Sequence, residues 1–326
     1  MAFRLFAMVL ALVAALVVAE LVLRVLGFRY ELRAVVVEGA APDARTVHDH
    51  YITDRDLIWV PRTYDQRLAL ARDQGAAIVF MGDSCTQFGR YPEAMMTYIT
   101  HMHADGDAVP FANLGVAGWS THQGLAQLRR DVAPLRPRVV TIYYGWNDHW
   151  LSIGIDDAEV GYLLHHPLLR WSDLRVTQLL MRAHVAWHAP GERADYPLRV
   201  ALDDYKANLR AMIDAVRAAG ATPVVLTAPS GHVPGAEPAY LARQHVADLG
   251  KLIPLHQQYV QATRDVAGES GAALCDLAAA FAAQRREGLF TDDGIHLTEA
   301  GDVRIAQLLY ACLREHDLIA PLVKEQ

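Results

Sequence analysis

Five residues of the sequence have types and positions that suit the attack of a hydroxyl group on an ester. Ser84 supplies an oxygen nucleophile, and His296 can take its proton. Asp293, three residues before His296, can accept a hydrogen bond from the other ring nitrogen and stabilise the imidazolium. The backbone N–H groups of Ser84 and Gly115 and the side-chain amide of Asn147 can bind the oxyanion that the attack creates. Together these groups predict acyl transfer.

Such residues need a scaffold, and the sequence alternates strand and helix signals from Ala76 onward. The clearest helix signal lies between residues 202 and 219, where apolar residues recur at spacings of three and four. Strand followed by helix predicts an α/β fold with a mostly parallel, doubly wound sheet covered on both faces. Five runs rich in apolar and β-branched residues predict its strands: AAIVFM, PFANLG, RVVTIYYG, TPVVLTAPSG and AALCDL.

The chemistry-bearing residues stand at the ends of these predicted strands. Ser84 follows the first strand, Gly115 the second and Asn147 the third. Asp293 and His296 come just before the last predicted helix. Because active sites of open α/β sheets lie outside the carboxyl ends of the strands, we expect these loops to converge at one edge of the sheet.

The same segments resemble the four signature blocks of the SGNH, or GDSL, hydrolase family. Residues 82–84 read Gly-Asp-Ser like the first block, and Gly115 stands like the glycine of the second. Residues 145–148 read Gly-Trp-Asn-Asp like the third block, and residues 293–296 match the Asp-x-x-His of the fourth. The resemblance covers roughly residues 76–315 apart from residues 150–199. Each block alone is a weak signal, but four in this order are specific.

This resemblance implies both a fold and a set of roles. The fold is a three-layer α/β/α sandwich of the flavodoxin-like kind. Ser84, Asp293 and His296 would be catalytic, and Ser84, Gly115 and Asn147 would form the oxyanion hole. The family hydrolyses esters or thioesters of lipids or sugars and needs no cofactor. The chain departs from the family pattern locally, because a cysteine directly after the nucleophile is not a required feature.

The N-terminus has the composition of a membrane span. Residues 5–19 are apolar without a break, and the stretch to Leu26 reaches the roughly 20 residues that a bilayer needs. Glu20 and Arg24 are spaced to pair on one face of a helix near the interface. We expect a single-pass anchor with the catalytic domain on the exported side; a cleaved signal peptide and a soluble amphipathic helix are the alternatives. Arginines flank both ends of the span, so its orientation stays open.

We therefore divide the chain into residues 1–28 as anchor, 29–75 as linker and lead-in, and 76–320 as hydrolase domain. An insertion or cap interrupts that domain at about residues 150–199, where the alternation lapses. Trp146 and Trp150 are candidates for a substrate groove, and core packing or lid stabilisation is the alternative. Four leucines suit either a lid or a surface that rests on the membrane: Leu163, Leu164, Leu168 and Leu169.

The net charge, the cysteines and the histidines argue against several classes of function. The net charge is −7 and no lysine or arginine cluster stands out, which argues against nucleic acid as a partner. Three cysteines are too few for a disulfide framework or a zinc site, and at most one bridge can form. Cys85 is expected to be a packing residue rather than a second nucleophile. His184 and His188 have the spacing of a helical metal pair, but the sequence lacks the glutamate of the metalloprotease pattern, so no metal is expected.

We expect a serine esterase or acylhydrolase that cleaves an O-acyl ester of a lipid or glycan through a covalent acyl-enzyme. Its partners would be that substrate and the membrane. One alternative is an O-acyltransferase that hands the acyl group to a hydroxyl of an exported polysaccharide. A second is a non-catalytic glycan-binding module.

Overall fold

The computed structural model describes residues 2–30, 32, 50–103, 108–171, 173–189, 191–283 and 288–323. Its strands form an antiparallel pair, β1 with β2, and a five-stranded sheet of order β4-β3-β5-β6-β7 in which every pair is parallel. The strands are β1 (Tyr51–Asp54), β2 (Ile58–Pro61), β3 (Ile78–Gly82), β4 (Phe111–Asn113), β5 (Val139–Tyr143), β6 (Thr222–Leu226) and β7 (Ala273–Cys275).

The parallel sheet confirms the predicted α/β fold. Each of the five predicted runs overlaps one of its strands. Counted from β3, the order is 2-1-3-4-5, which is the doubly wound, flavodoxin-like order. Strand order reverses between β3 and β5, so the loops after these two strands flank the crevice where such sheets bind ligands.

Helices connect the strands and cover the sheet. They are α1 (Ala2–Val25), α2 (Tyr64–Asp73), α3 (Ser84–Gln87), α4 (Tyr91–His103), α5 (Thr121–Gln127), α6 (Asp157–His165), α7 (Arg175–His188), α8 (Leu202–Ala218), α9 (Leu241–Gln244), α10 (Leu252–Ser270), α11 (Leu277–Ala282), α12 (Glu299–Glu315) and α13 (Ile319–Val323). A π-helical turn, Leu128–Val132, extends α5, and short 3-10 helices span Ala133–Leu135, Pro167–Trp171, Arg193–Asp195 and Leu249–Lys251.

The core lies on both faces of the sheet. Successive strand residues point to opposite faces, so Val79 and Met81 of β3 join one buried cluster while Ile78 and Phe80 join another. Helices α8 and α10 contribute to the first cluster, and α4 and α12 contribute to the second. The sheet is therefore the middle layer of a three-layer α/β/α sandwich.

The lead-in contributes to the first cluster as well. Residues 29–75 show no clear period in the sequence, yet their described part contains β1, β2 and α2. Leu57, Ile58 and Trp59 are at most 2% exposed. The Tyr64 hydroxyl donates to Asp131 Oδ2 at 2.7 Å. This segment thus packs on the hydrolase fold, and the division of the chain into three parts stays a prediction.

The two ends of the insertion contact each other. Leu151 and Leu198 form an isolated antiparallel bridge, and Arg199 makes a buried ion pair with Asp157 at 2.8 Å. A second Arg199 nitrogen donates to the Gly118 carbonyl at 2.6 Å. Of the leucines expected in a lid or membrane face, Leu163 and Leu164 are buried at 3% exposure, Leu169 packs partly buried against the core and Leu168 is 43% exposed.

Most of the N-terminal helix lies outside the core, and only its last turns contact α7. The segment Phe3–Val25 is long and apolar enough to cross a membrane, as a signal sequence near the N-terminus also can be, and none of it is buried in the domain. Its apolar side chains are exposed, Phe3 at 82% and Leu16 at 46%.

Candidate active site

Ser84 is the first residue of α3, and a single residue, Asp83, separates it from the end of β3. Asp83 caps α3, and its Oδ1 accepts a hydrogen bond from the Cys85 N–H at 2.9 Å. A Cβ at Gly82 would lie 2.7 Å from the Tyr143 carbonyl oxygen, so only glycine fits where β3 passes β5 before the turn. The turn therefore presents the Ser84 side chain at the carboxyl edge of the sheet.

His296 reaches this serine from a loop more than two hundred residues later in the chain. Its Nε2 lies 2.8 Å from Ser84 Oγ, and its Nδ1 lies 2.5 Å from Asp293 Oδ2. Asp293 Oδ1 accepts the backbone N–H groups of Ile295 and His296, each at 2.8 Å, which fixes the loop. The structure thus brings together the predicted nucleophile, base and orienting carboxylate. The His296 side chain is 36% exposed, so solvent and substrate can reach this arrangement.

The two ionisable partners shift each other's titration. Burial alone would raise the pKa of Asp293, but the hydrogen bond and charge of His296 and the two backbone N–H groups outweigh it and lower that pKa. Burial alone would lower the pKa of His296, but the hydrogen bond and charge of Asp293 raise it, with a further contribution from Asp83. An ionised Asp293 would stabilise the imidazolium that forms when His296 takes a proton from the serine. Both pKa shifts therefore suit His296 as a general base.

The predicted oxyanion donors differ in how they are engaged. The Ser84 N–H has no acceptor among the described residues. Asn147 Nδ2 donates to Asp83 Oδ2 at 3.1 Å, which fixes the amide through one of its two hydrogens. The Gly115 N–H donates to Asn113 Oδ1 at 3.1 Å. An oxyanion can therefore use Ser84 and Asn147 directly, whereas it must share the Gly115 N–H with Asn113.

Gly115 is nevertheless pressed against the turn that carries the serine. A Cβ at this position would lie 2.7 Å from both Gln87 N and Thr86 Cβ. Asn113 Nδ2 donates to the Thr86 carbonyl at 2.7 Å and ties the end of β4 to α3. A glycine is required here because the two loops approach so closely.

Residues of the lead-in hold this loop in a way that the sequence did not reveal. The guanidinium of Arg67, on α2, donates to the carbonyl oxygens of Asn113 and Gly115. Gln87, which belongs to α3 and not to the lead-in, adds a contact, because its side chain accepts from the Ala117 N–H at 2.6 Å. These partners lie 30 to 48 residues apart in the chain, and no local pattern connects them.

Cys85 is buried beside the loop that carries His296. It is 4% exposed, and its Sγ lies 3.7 Å from the Ile295 carbonyl oxygen. Burial raises the pKa of the Cys85 thiol well above its usual range, and the charges of Asp83 and Asp293 raise it further. A thiol that stays protonated is a poor nucleophile, so the side chain acts as packing.

The structure places Trp146 and Trp150 in the core rather than at a groove. They are 2% and 4% exposed, and their rings stack on each other with centroids 5.8 Å apart. Trp146 also stacks on the His256 ring at 3.8 Å. Adjacency to Asn147 in the sequence gave no information on which way these rings point.

Buried histidines beside this cluster do not compete for the role of base. The His256 Nε2–H donates to the Ala228 carbonyl at 2.9 Å, so its Nδ1 is left to accept from His149 at 3.0 Å. Burial lowers the pKa of His256 to about 4 and that of His149 well below its usual range. Both therefore remain neutral and hydrogen-bonded inside the fold.

In the predicted helical histidine pair, His184 contacts a glutamate side chain. His184 Nε2 lies 2.8 Å from Glu159 Oε1, and the His184 and His188 rings are 4.1 Å apart. Within the described part of the chain, no three His, Cys, Asp or Glu side chains form a group that could hold a metal ion.

Comparison with known proteins agrees with this arrangement. The profile of the GDSL-like lipase/acylhydrolase family matches residues 80–304. A lipase/acylhydrolase from Enterococcus faecalis superposes with a TM-score of 0.50 at 17% identity, over 74% of this chain and 96% of the other. A protein described as a GDSL-like lipase from Parabacteroides merdae gives 0.50 at 16% identity, over 75% and 97%. At these identities the structural likeness shows the fold alone. No curated protein sequence matches the chain.

Proposed function

The chain belongs to the GDSL-like lipase/acylhydrolase family and is an ester-hydrolysing enzyme, and from this premise we propose that it cleaves an O-acyl ester of a lipid or glycan through a covalent acyl-enzyme on Ser84. The observation that carries the proposal is the unbroken chain of contacts from Ser84 Oγ through His296 to Asp293, at 2.8 and 2.5 Å. A serine hydroxyl needs such a base to attack at neutral pH.

In the first half-reaction, Ser84 Oγ attacks the ester carbonyl carbon while His296 Nε2 takes the hydroxyl proton. The carbonyl oxygen becomes an oxyanion, which the Ser84 N–H and the Asn147 amide stabilise. Collapse of this intermediate breaks the bond to the alcohol oxygen, and the imidazolium returns the proton to that oxygen. The alcohol leaves, and the acyl group stays on Ser84.

In the second half-reaction, water takes the place of the alcohol. His296 removes one proton from the water as its oxygen attacks the acyl carbon, and the same donors hold the second oxyanion. Collapse releases the carboxylic acid, and the proton returns to Ser84 Oγ. Asp293 stays ionised throughout and keeps the imidazole in one tautomer. The residues therefore return to their starting state without any cofactor.

We also propose that α1 anchors the chain as a single span, with the catalytic domain on the exported side. The composition of Phe3–Val25 supports the anchor. The disulfide between Cys275 and Cys312 supports the exported side, because such bonds persist in oxidising compartments.

Replacement of the nucleophile tests the chemistry. Ser84→Ala should abolish turnover of a short p-nitrophenyl ester and labelling by a fluorophosphonate, while circular dichroism and the melting temperature stay near those of the native enzyme. Asp292→Ala is the matched control, since it removes a carboxylate beside Asp293 that has no place in the mechanism. Undiminished turnover in Ser84→Ala would exclude the proposal. Adding an acceptor glycan to the native enzyme separates transfer from hydrolysis.

A further inference from the structure

The last turns of α1 are bound to the insertion. Glu20 Oε2 accepts the backbone N–H of Val176 at 3.0 Å and so caps the start of α7. Arg24 pairs with Glu20 at 2.7 Å and also donates to the Asp173 carbonyl at 3.4 Å. The beginning of α7 is therefore fixed at the level of Glu20 along α1.

Contacts further along the chain give the direction of α7. The Tyr30 N–H donates to Gln178 Oε1 at 3.0 Å, and the Arg182 guanidinium lies 5.8 Å from the Phe28 ring centroid. As the chain leaves the span, its partners move from the first residues of α7 towards its middle. The C-terminal half of α7 therefore points away from the span.

The segment that leads into α7 carries exposed apolar side chains. Leu168, Trp171 and Leu174 are 43%, 63% and 38% exposed. They stand on the 3-10 helix Pro167–Trp171 and the residues just before α7. Nothing within the described residues covers them, and burial of such side chains in the bilayer interface is favourable.

The position of Glu20 sets the depth of this segment. Glu20 lies five residues before Val25, where α1 ends, which is about 8 Å at a rise of about 1.5 Å per residue. The 23-residue span is about 35 Å long, close to the roughly 30 Å of a bilayer core, so its end lies near the headgroups. A backbone group hydrogen-bonded to Glu20 must then lie at the boundary between acyl chains and headgroups.

We infer that residues 167–171 and 173–174, which we call the interfacial segment, rest in the bilayer that holds α1, with Trp171 among the lipid headgroups and Trp187 above them. The occupant of this apolar surface is lipid, because lipid surrounds the span to which the segment is attached. The inference depends on the proposed anchoring of α1 and not on the proposed chemistry. It places the insertion against the membrane beside the anchor.

The distribution of tryptophans makes the segment measurable in the full chain. Trp171 and Trp187 are 63% and 85% exposed, while the other four are at most 4% exposed. The full-length protein is reconstituted into liposomes whose phospholipids carry bromine on the upper part of the acyl chains, and tryptophan fluorescence is compared with that in unbrominated liposomes. We expect clear quenching in the native chain. Trp171→Phe should remove most of the quenchable signal, and Trp187→Phe, the matched control, should leave it in place.

Flotation of the liposomes and ester hydrolysis separate the possible failures. Protein that floats with the liposomes but shows no bromine quenching would overturn the inference, as would equal quenching in native protein and Trp171→Phe. Loss of the quenchable signal in Trp187→Phe instead would place the other end of α7 in the bilayer and overturn it too. Protein that fails to float would overturn the anchor and this inference together. Hydrolysis of a soluble ester is measured alongside and should be the same in both variants.

Discussion

Asp83 Oδ2 accepts a hydrogen bond from the side-chain amide of Asn147 at 3.1 Å. Its other oxygen accepts the N–H of Cys85 at 2.9 Å. One carboxylate, 2% exposed, thus ties the turn that carries Ser84 to the loop that carries Asn147. Burial raises the pKa of Asp83, and the two hydrogen bonds and the charge of His296 oppose that rise. If the Asn147 amide binds the oxyanion as proposed, Asp83 acts through Asn147 and is a positioning residue.

We predict that Asp83→Asn lowers kcat and leaves KM nearly unchanged. Asparagine keeps one acceptor oxygen, so either Cys85 or Asn147 loses its partner and faces an amide N–H group. A hydrogen bond to a charged group contributes about 1.5–3 kcal/mol, which corresponds to about a tenfold to hundredfold loss of rate if all of it is needed in the transition state. Direct removal of the amide by Asn147→Ala should cost more, about a hundredfold to a thousandfold in kcat.

A double-mutant cycle distinguishes positioning from a general loss of stability. If Asp83 acts by orienting the amide, Asp83→Asn should add little to the loss of kcat in Asn147→Ala. Losses of kcat that simply multiply would contradict the positioning role. Melting temperatures of the three variants serve as the control for folding.

The raised pKa of His296 predicts the pH dependence of the reaction. Only the neutral imidazole can take a proton, so activity is lost as the pH falls through the pKa of His296. Because Asp293 raises this pKa, we expect the acid limb of kcat/KM to have its midpoint above the usual histidine value of about 6.5. A pH profile with a soluble ester measures it.

Asp293→Asn is the matched variant for this profile. An uncharged amide no longer stabilises the imidazolium, so the midpoint should move to lower pH, and kcat above that midpoint should fall by as much as about 10⁴-fold. A native midpoint at or below about 6.5, or an unmoved midpoint in the variant, would contradict the proposed coupling.

Features that depend on residues adjacent in the sequence, and on the order of strands and helices, were predictable. The strands of a parallel sheet are covered on both faces, so Ile78, Val79, Phe80 and Met81 form one apolar run, and all four are fully buried. The order of strands and helices along the chain then determined which loops meet at the carboxyl edge. This is why residues as distant as Ser84 and His296 could be expected in one site.

Features that depend on the direction in which a side chain points, or on partners far away in the sequence, were not predictable. The strands β1 and β2 have four residues each, too few for a period to be read. The contact of Arg67 with the carbonyl of Gly115 joins residues 48 positions apart through the backbone, which leaves no trace in side-chain type. Asn113 stands two residues from Gly115, yet its residue type alone does not indicate that its side chain accepts the glycine N–H.

We predict that the thiol of Cys85 is inert in the folded enzyme. Its burial and raised pKa keep it protonated and out of reach of reagents. Iodoacetamide should leave the native enzyme unmodified and active, and it should alkylate Cys85 after unfolding in urea. Cys85→Ala should remain labelled by a fluorophosphonate. Rapid alkylation of the native enzyme with loss of activity would show that the thiol is reactive.

The bond between Cys275 and Cys312 should stabilise the fold without affecting the chemistry. It joins the end of β7 to α12 and closes a loop with a sequence separation of 37. A cross-link of this kind limits the unfolded chain and contributes about 2–4 kcal/mol to the free energy of unfolding. We expect a reductant to lower the urea midpoint of the native enzyme by a corresponding amount, while kcat in the absence of urea stays the same.

The double variant Cys275→Ala/Cys312→Ala should show the lower midpoint with or without reductant. A native midpoint that does not respond to reductant, with both thiols titrating as free after unfolding, would mean that the bond is not formed.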